Sequence, residues 1–218
     1  MKQLLSFILS LGMVCLVASA ALSWVNQTTL EPIEKAQQAA LEASLKLVLP
    51  ETMTRTEEVP AEKLGEPAKD KQGAVHLYQA FDEKGTLVGY AASAISPVGG
   101  FKGPIKVVAG INLDGKIRGV MITEHSETPG IGTKVTDRKS VKSLWDVLAG
   151  KAHEEKFPPN EFLDGQFNGT DTAKGYAVGG ANGANAVVAV SGATYSSRSV
   201  ISAVDAIGRA FRNFQSAK

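Results

Sequence analysis

The chain begins with an unbroken apolar run. From Leu4 to Val25 no residue carries a charge, a length that crosses a bilayer core as a helix. A cleaved signal peptide is the rival reading, because Ala18-Ser19-Ala20 resembles a small-residue cleavage site. Signal cores are shorter, about 7–15 residues. The run is longer than that, and Trp24 stands where an interfacial anchor would sit, so the pattern favours an uncleaved anchor over residues 1–25. Lys2 and the amino terminus are positive and predict a cytoplasmic start, with the rest of the chain on the outer, periplasmic side of an inner (plasma) membrane crossed once.

The next pattern is helical. Ile33, Ala36, Ala40, Leu41, Leu45 and Val48 fall at helical spacing, with Thr28 or Thr29 as the expected cap and Pro50 as the stop. Glu51 to Lys71 is polar with two prolines and predicts an irregular connection. Residues 26–72 therefore join the anchor to a domain over 73–218. Alternation then takes over. A hairpin is predicted from Ala74 with its turn at Asp82–Gly85, and a second around Asp114-Gly115, where both turn residues are expected at positive φ. Ser140–Gly150 has a helical pattern closed by Gly150, with Trp145 and Leu148 as its core face. A Gly/Ala-rich lead, 175–186, becomes a short strand ending at Val190. Ser196–Phe214 is amphipathic, with Val200, Val204, Ile207 and Phe211 on one face. Strands dominate the middle and helices the ends, which predicts an α+β domain.

Composition narrows the chemistry. With 44% hydrophobic residues, 21% charged residues and a net charge of +1, the chain has the profile of a folded protein and no basic surplus for nucleic acid. A lone cysteine, Cys15, excludes an intrachain disulfide and a cysteine-built metal centre. His76, His125 and His153 lack ligand spacing, so no metal is expected. No Gly-x-Ser-x-Gly elbow or evident Ser/His/Asp set supports a hydrolase.

One junction stands out. The strand ending at Val190 runs into Ser191-Gly192-Ala193-Thr194, just before the last helix. Gly192 permits a sharp turn, and Ser196 or Ser197 is expected to cap a helix beginning near Ser196. Amides and dipole at a helix start favour an anion, so Thr194 is predicted to hold its hydroxyl beside a phosphate site. The plain alternative is a turn that only caps a helix.

Ser191–Ser197, "SGATYSS", resembles the flavin-attachment motif of the FMN-binding domain family. The resemblance extends to "HSETPGIGTK", His125–Lys134, with Ile131 where the family has Leu, and to "GGFKGPIKVVAGINLDGKI" ahead of it. It implies a twisted, mainly antiparallel sheet flanked by helices behind the anchor. It implies FMN joined covalently to Thr194 by a phosphoester bond made by a separate flavin transferase. It implies a cofactor site of Thr194, Ser191, Gly192, Ala193, Ser196, Glu127, Thr128, Gly130, Ile131 and Gly132, with Ile131 over the ring's apolar face, Glu127 in a structural role, and no catalytic acid–base residue or metal. Lys134 is near in sequence to the phosphate. Val188 departs from the family, which usually has an Asp there that the transferase recognises. Within the family the resemblance is to electron-relaying subunits of Rnf-type ion-translocating membrane complexes, incomplete as enzymes alone. A sodium-pumping quinone reductase subunit, a free-standing flavin carrier and an anchored scaffold without flavin are the alternatives.

Overall fold

The computed structural model describes residues 2–64, 74–138 and 159–217. The helix predicted over 140–150, with Trp145 and Leu148, lies outside them, as does His153. The described residues form two compact units, residues 1–42 and 43–218.

The first helix, α1, runs without a break from Lys2 to Val48. The cap expected at Thr28 or Thr29 is therefore corrected. Both hydroxyls turn back onto their own helix, Thr28 Oγ1 to the Val25 carbonyl and Thr29 Oγ1 to the same oxygen, each at 2.9 Å. Between the apolar run and the amphipathic run the one helix-disfavouring residue is Pro32, and it lies inside the helix. Proline removes one backbone donor, and a helix this long bridges that gap. The helix ends two residues before Pro50, as the clash between a proline ring and the preceding residue's helical backbone requires. Residues 6–48 contain a window with a mean hydropathy of 2.1, long and apolar enough to cross a membrane.

The second unit is built on an antiparallel meander. Its strands are β1 (Arg55–Glu58), β2 (Val75–Phe81), β3 (Leu87–Ile95), β4 (Lys106–Ile111) and β5 (Ile117–Glu124). They lie side by side in chain order. β1 falls in the stretch expected to be irregular. It lacks apolar alternation because it is a polar, mostly exposed edge strand, Arg-Thr-Glu-Glu, paired with β2 from Arg55↔Phe81 to Glu58↔Tyr78.

Both predicted hairpins form, but not with the turn expected at Asp114-Gly115. Only the glycine takes positive φ, Gly115 at +81° and Gly85 at +77° in the first hairpin. In each, the glycine amide bonds back three residues, Gly115 to Asn112 and Gly85 to Asp82. These are type I turns followed by a left-handed glycine, a longer loop that also matches strand twist. Asp82 Oδ1 accepts from the Lys84 and Thr86 amides, both at 2.8 Å, and braces the first.

The sheet is buried on both faces at its centre. Tyr90, Ala92 and Ala94 of β3, with Val107, Ala109 and Ile111 of β4, face a core completed by the last helix. That helix, here α4, spans Thr194–Ser216, after α2 (Thr133–Thr136) and α3 (Glu161–Phe167). Val200, Val204, Ile207 and Phe211 of α4 are fully buried, and Tyr90 meets Phe211 edge-on with ring centroids 5.1 Å apart. The opposite face carries small residues because backbone lies on it. A Cβ on Gly110 would stand 2.1 Å from the Val48 carbonyl oxygen, so only glycine fits beneath the last turn of α1, whose Leu45 and Val48 are buried.

The remaining strands are short. β6 (Tyr176–Val178) and β7 (Asn185–Val187) pair in parallel, apart from the main sheet. The strand expected to end at Val190 therefore stops earlier. Val188 has left the ladder, and its amide donates to Gln166 Oε1 at 3.2 Å.

Candidate functional site

Three segments meet at one end of the sheet: the β3–β4 connection, the loop after β5, and the start of α4. A meander brings the first two together, because β3 ends where β4 begins and where β5 ends. Their meeting leaves a pocket of about 220 Å³ lined by Phe101, Glu127, Thr128, Ile131, Gly132 and Gly192–Ser196.

The start of α4 explains its place. Val190–Ala193 forms a tight turn, with the Ala193 amide on the Val190 carbonyl at 2.9 Å and Gly192 at φ +80°. The helix then begins at Thr194 itself. The first helical bond of this turn is Ser197 N to Ala193 O at 2.9 Å, so the amides of Thr194, Tyr195 and Ser196 precede the ladder, as helix geometry dictates. Thr194 is exposed at the rim. The expectation that Ser196 or Ser197 caps the helix is corrected. Both lie inside it, and the residue before it, Ala193, has no side chain to cap with. Their hydroxyls are used in tertiary contacts. Ser197 Oγ accepts from the Val190 amide at 3.0 Å and donates to the Ala193 carbonyl at 3.0 Å, while Ser196 Oγ donates to Glu127.

Glu127 joins all three segments. Only 6% exposed, its carboxylate accepts from Ser196 Oγ at 2.6 Å and from the Phe101 amide at 2.8 Å. Charge-assisted bonds of this kind offset part of the cost of burying a carboxylate. They also make room a constraint. A Cβ on Gly132 would lie 2.4 Å from Glu127 Oε2, and one on Gly100 2.1 Å from Oε1. Gly132 has an ordinary helical φ of −65°, so space, not backbone conformation, demands glycine there. Gly130 is the reverse case, with φ +76° and open surroundings. Its amide donates to Thr133 Oγ1 at 2.8 Å, and the Ile131 amide to the Thr128 carbonyl at 3.2 Å, which closes the loop into a tight turn.

The far end of this loop is anchored on α3. Asn160 caps α3 by accepting from the Leu163 amide at 2.8 Å, and its own amide group donates to the Asp137 carbonyl at 2.7 Å. Beside it, Arg138 makes a two-pronged pair with Asp164, at 2.8 and 2.6 Å. Burial works to raise the Asp164 carboxyl, but the Arg138 hydrogen bond, the Asn160 amide and the Arg138 charge together hold it below its ordinary value.

Of the residues singled out in the sequence, Thr194, Gly192, Ala193, Ser196, Glu127, Thr128, Ile131 and Gly132 line the pocket together. Ser191 and Gly130 shape its loops without lining it. Lys134 does not line it and is exposed. Two lining residues were missed, Phe101 and Tyr195. They are 67% and 65% exposed, and their ring centroids lie 6.5 Å apart. Their signal was present as aromatic residues adjoining the Gly-Gly and Gly-Ala-Thr turns, but no periodicity marks such positions.

The FMN-binding domain model matches residues 100–207, which includes every lining residue. The G subunit of the ion-translocating oxidoreductase complex of Shewanella baltica is 33% identical over 67% of this chain and 70% of its own length. The chain belongs to the FMN-binding domain family. The G subunit of the Na(+)-translocating ferredoxin:NAD(+) oxidoreductase complex of Acetobacterium woodii is 28% identical over 94% of this chain and 90% of its own length. Against the corresponding G subunit of Shewanella oneidensis, 34% identical, the chain spans 62% of that relative's length. Among solved structures, NqrC of Shewanella oneidensis aligns over 78% of this chain and 70% of its own, with 26% identity and a TM-score of 0.40.

The pocket has the features an FMN site needs. Amides at a helix start suit a phosphate, and a largely apolar pocket with a few polar groups suits a flat ring. The pocket offers both beside Thr194, an exposed residue of its lining.

Proposed function

We propose that this chain is the flavin-carrying subunit of an Rnf-type, ion-translocating membrane complex, with FMN joined to Thr194 by a phosphoester. The observation that carries the proposal is the position of Thr194, an exposed residue on the first turn of α4 that lines the same pocket as Glu127, Thr128, Ile131 and Gly132. The phosphate would meet the amides of Thr194, Tyr195 and Ser196. The ring would lie against Thr128, Ile131 and Phe101. FMN, when bound, supplies the capacity to take and give electrons.

The residues of the chain do the rest. Glu127 holds the three segments in register and is engaged by Ser196 and the Phe101 amide, so its task is structural. A covalent tether would stop loss of the cofactor to the outer compartment. The apolar part of α1 anchors the domain, and Lys2 ahead of the apolar run supports a domain on the periplasmic side. Ion movement belongs to other subunits, since the Leu4–Val25 run carries no ionisable side chain for an ion path except that of Cys15. The names of the Shewanella and Acetobacterium relatives support an oxidoreductase complex as partner, and maturation requires a flavin transferase.

The test is intact mass and fluorescence of the denatured protein, coexpressed with a flavin transferase. One FMN on the peptide bearing Thr194, lost in Thr194→Val, is the expected result. A Thr194→Val protein that keeps a tethered flavin overturns the attachment. A wild-type protein with neither added mass nor fluorescence favours a plain anchored scaffold.

A further inference from the structure

His125 is the first residue after β5, and both of its ring nitrogens are engaged. Nδ1 lies 3.2 Å from the Glu127 amide nitrogen. Nε2 lies 2.9 Å from Asp137 Oδ1. A backbone N–H can only donate, so Nδ1 receives that bond and carries no proton. The ring proton is then on Nε2, aimed at Asp137. The two contacts differ in reach. One spans two residues and fixes the backbone entering Glu127. The other joins the first residue of the loop to its last, since Asp137 closes α2 with its amide on the Thr133 carbonyl at 3.0 Å. Glu127 is in turn the residue whose carboxylate meets Ser196 on α4 and Phe101 on the β3–β4 connection.

We infer that His125 is the positioning residue of the pocket: its bare Nδ1 fixes the Glu127 backbone, and its Nε2 proton pins the loop to Asp137. It touches none of the space in which a ring would lie, being absent from the pocket lining. It acts through Glu127. The short contact has a known chemical mimic. An oxygen of Asn or Asp that accepts from the amide two residues on makes the same closed turn. His125→Asn therefore keeps the acceptor and gives up the reach to Asp137, whereas His125→Leu removes both. The effect on a bound flavin rests on the proposed function; the effect on the loop does not.

The experiment uses the full chain in detergent, coexpressed with a flavin transferase. Three quantities are read: the tautomer of His125 by nitrogen NMR, the exchange rate of the Glu127 amide, and the visible circular dichroism of tethered FMN. The expected tautomer has its proton on Nε2. Glu127 exchange should quicken about fivefold in His125→Leu, the effect of one net hydrogen bond, and stay within about twofold of wild type in His125→Asn. The flavin band should change in the leucine variant and return with asparagine. A proton on Nδ1 overturns the inference. So does an asparagine variant that exchanges as fast as the leucine one, or a flavin band indifferent to both. Wild-type protein without FMN on Thr194 would instead fail the proposed function, while tautomer and exchange still decide the role of His125.

Discussion

The two long helices of this protein both carry many apolar residues and use them in opposite ways. In the apolar stretch of α1 the side chains point outward all round; Phe7, Leu16 and Trp24 are 72%, 70% and 69% exposed. In α4 they form a stripe, and Val200, Val204, Ile207 and Phe211 are fully buried. Both satisfy their backbone internally. The difference lies in what surrounds them. α4 takes its stability from the sheet it covers, as most amphipathic helices do. The apolar part of α1 has no such partner within its own unit, and its side chains match a hydrocarbon solvent, where a helix is one of the few structures that leaves no polar group unpaired. An apolar residue is thus not a core residue until its periodicity is known.

That contrast can be broken experimentally. The largest effect belongs to α4. Phe211→Ala should cost about 3–5 kcal/mol of domain stability, the usual result of emptying a buried aromatic site. Leu16→Ala should leave the same urea transition within about 0.5 kcal/mol. A large shift from Leu16→Ala would mean that the apolar stretch of α1, and not only its last turn, contributes to domain stability. Leu16→Asp probes the other solvent. A charge near the centre of a spanning helix costs about 2.5–3.5 kcal/mol of insertion, so carbonate-resistant membrane association should fall while the urea transition stays in place.

Gly110→Ala tests the junction where the last turn of α1 joins the sheet. The new Cβ meets backbone at Val48, which cannot swing aside as a side chain tip would. A loss of about 1–3 kcal/mol is expected, read in the same denaturation. The smallest effect concerns acid. The Asp164 carboxyl is held below its ordinary value of 3.8, so its contribution is fully present above that value and is lost as pH falls through the lower, folded one. The stability gap between wild type and Asp164→Asn should therefore be constant from neutral pH down to about 5 and close under stronger acid. A gap that widens on acidification would contradict the Arg138–Asp164 pairing.

Much of this fold was legible because its signals are local. The two hairpins, the stripe on α4 and the stop before Pro50 each depend on residues within a few positions. The misreadings have a common cause. Thr28 and Thr29 have the chemistry of a cap, but nothing local says that the helix passes through them. β1 has no apolar alternation because an edge strand needs none, and only pairing with β2 reveals it. Ser196 and Ser197 also have cap chemistry, yet their hydroxyls are taken by Glu127 and by the Val190–Ala193 turn.

The sequence by itself determined the apolar run, the α+β order of elements, the family and Thr194 as the residue to test. Each rests on composition, period or a contiguous motif. Only the tertiary structure decided that Glu127 bridges to Ser196 and Phe101, that Gly100 and Gly132 exist to make room for its carboxylate, and that Phe101 and Tyr195 complete the pocket wall. The two hydrogen bonds of Glu127 join residues 26 and 69 positions apart in the chain. Such contacts are set by the register of the meander and the seat of α4, and no periodicity along the chain encodes them.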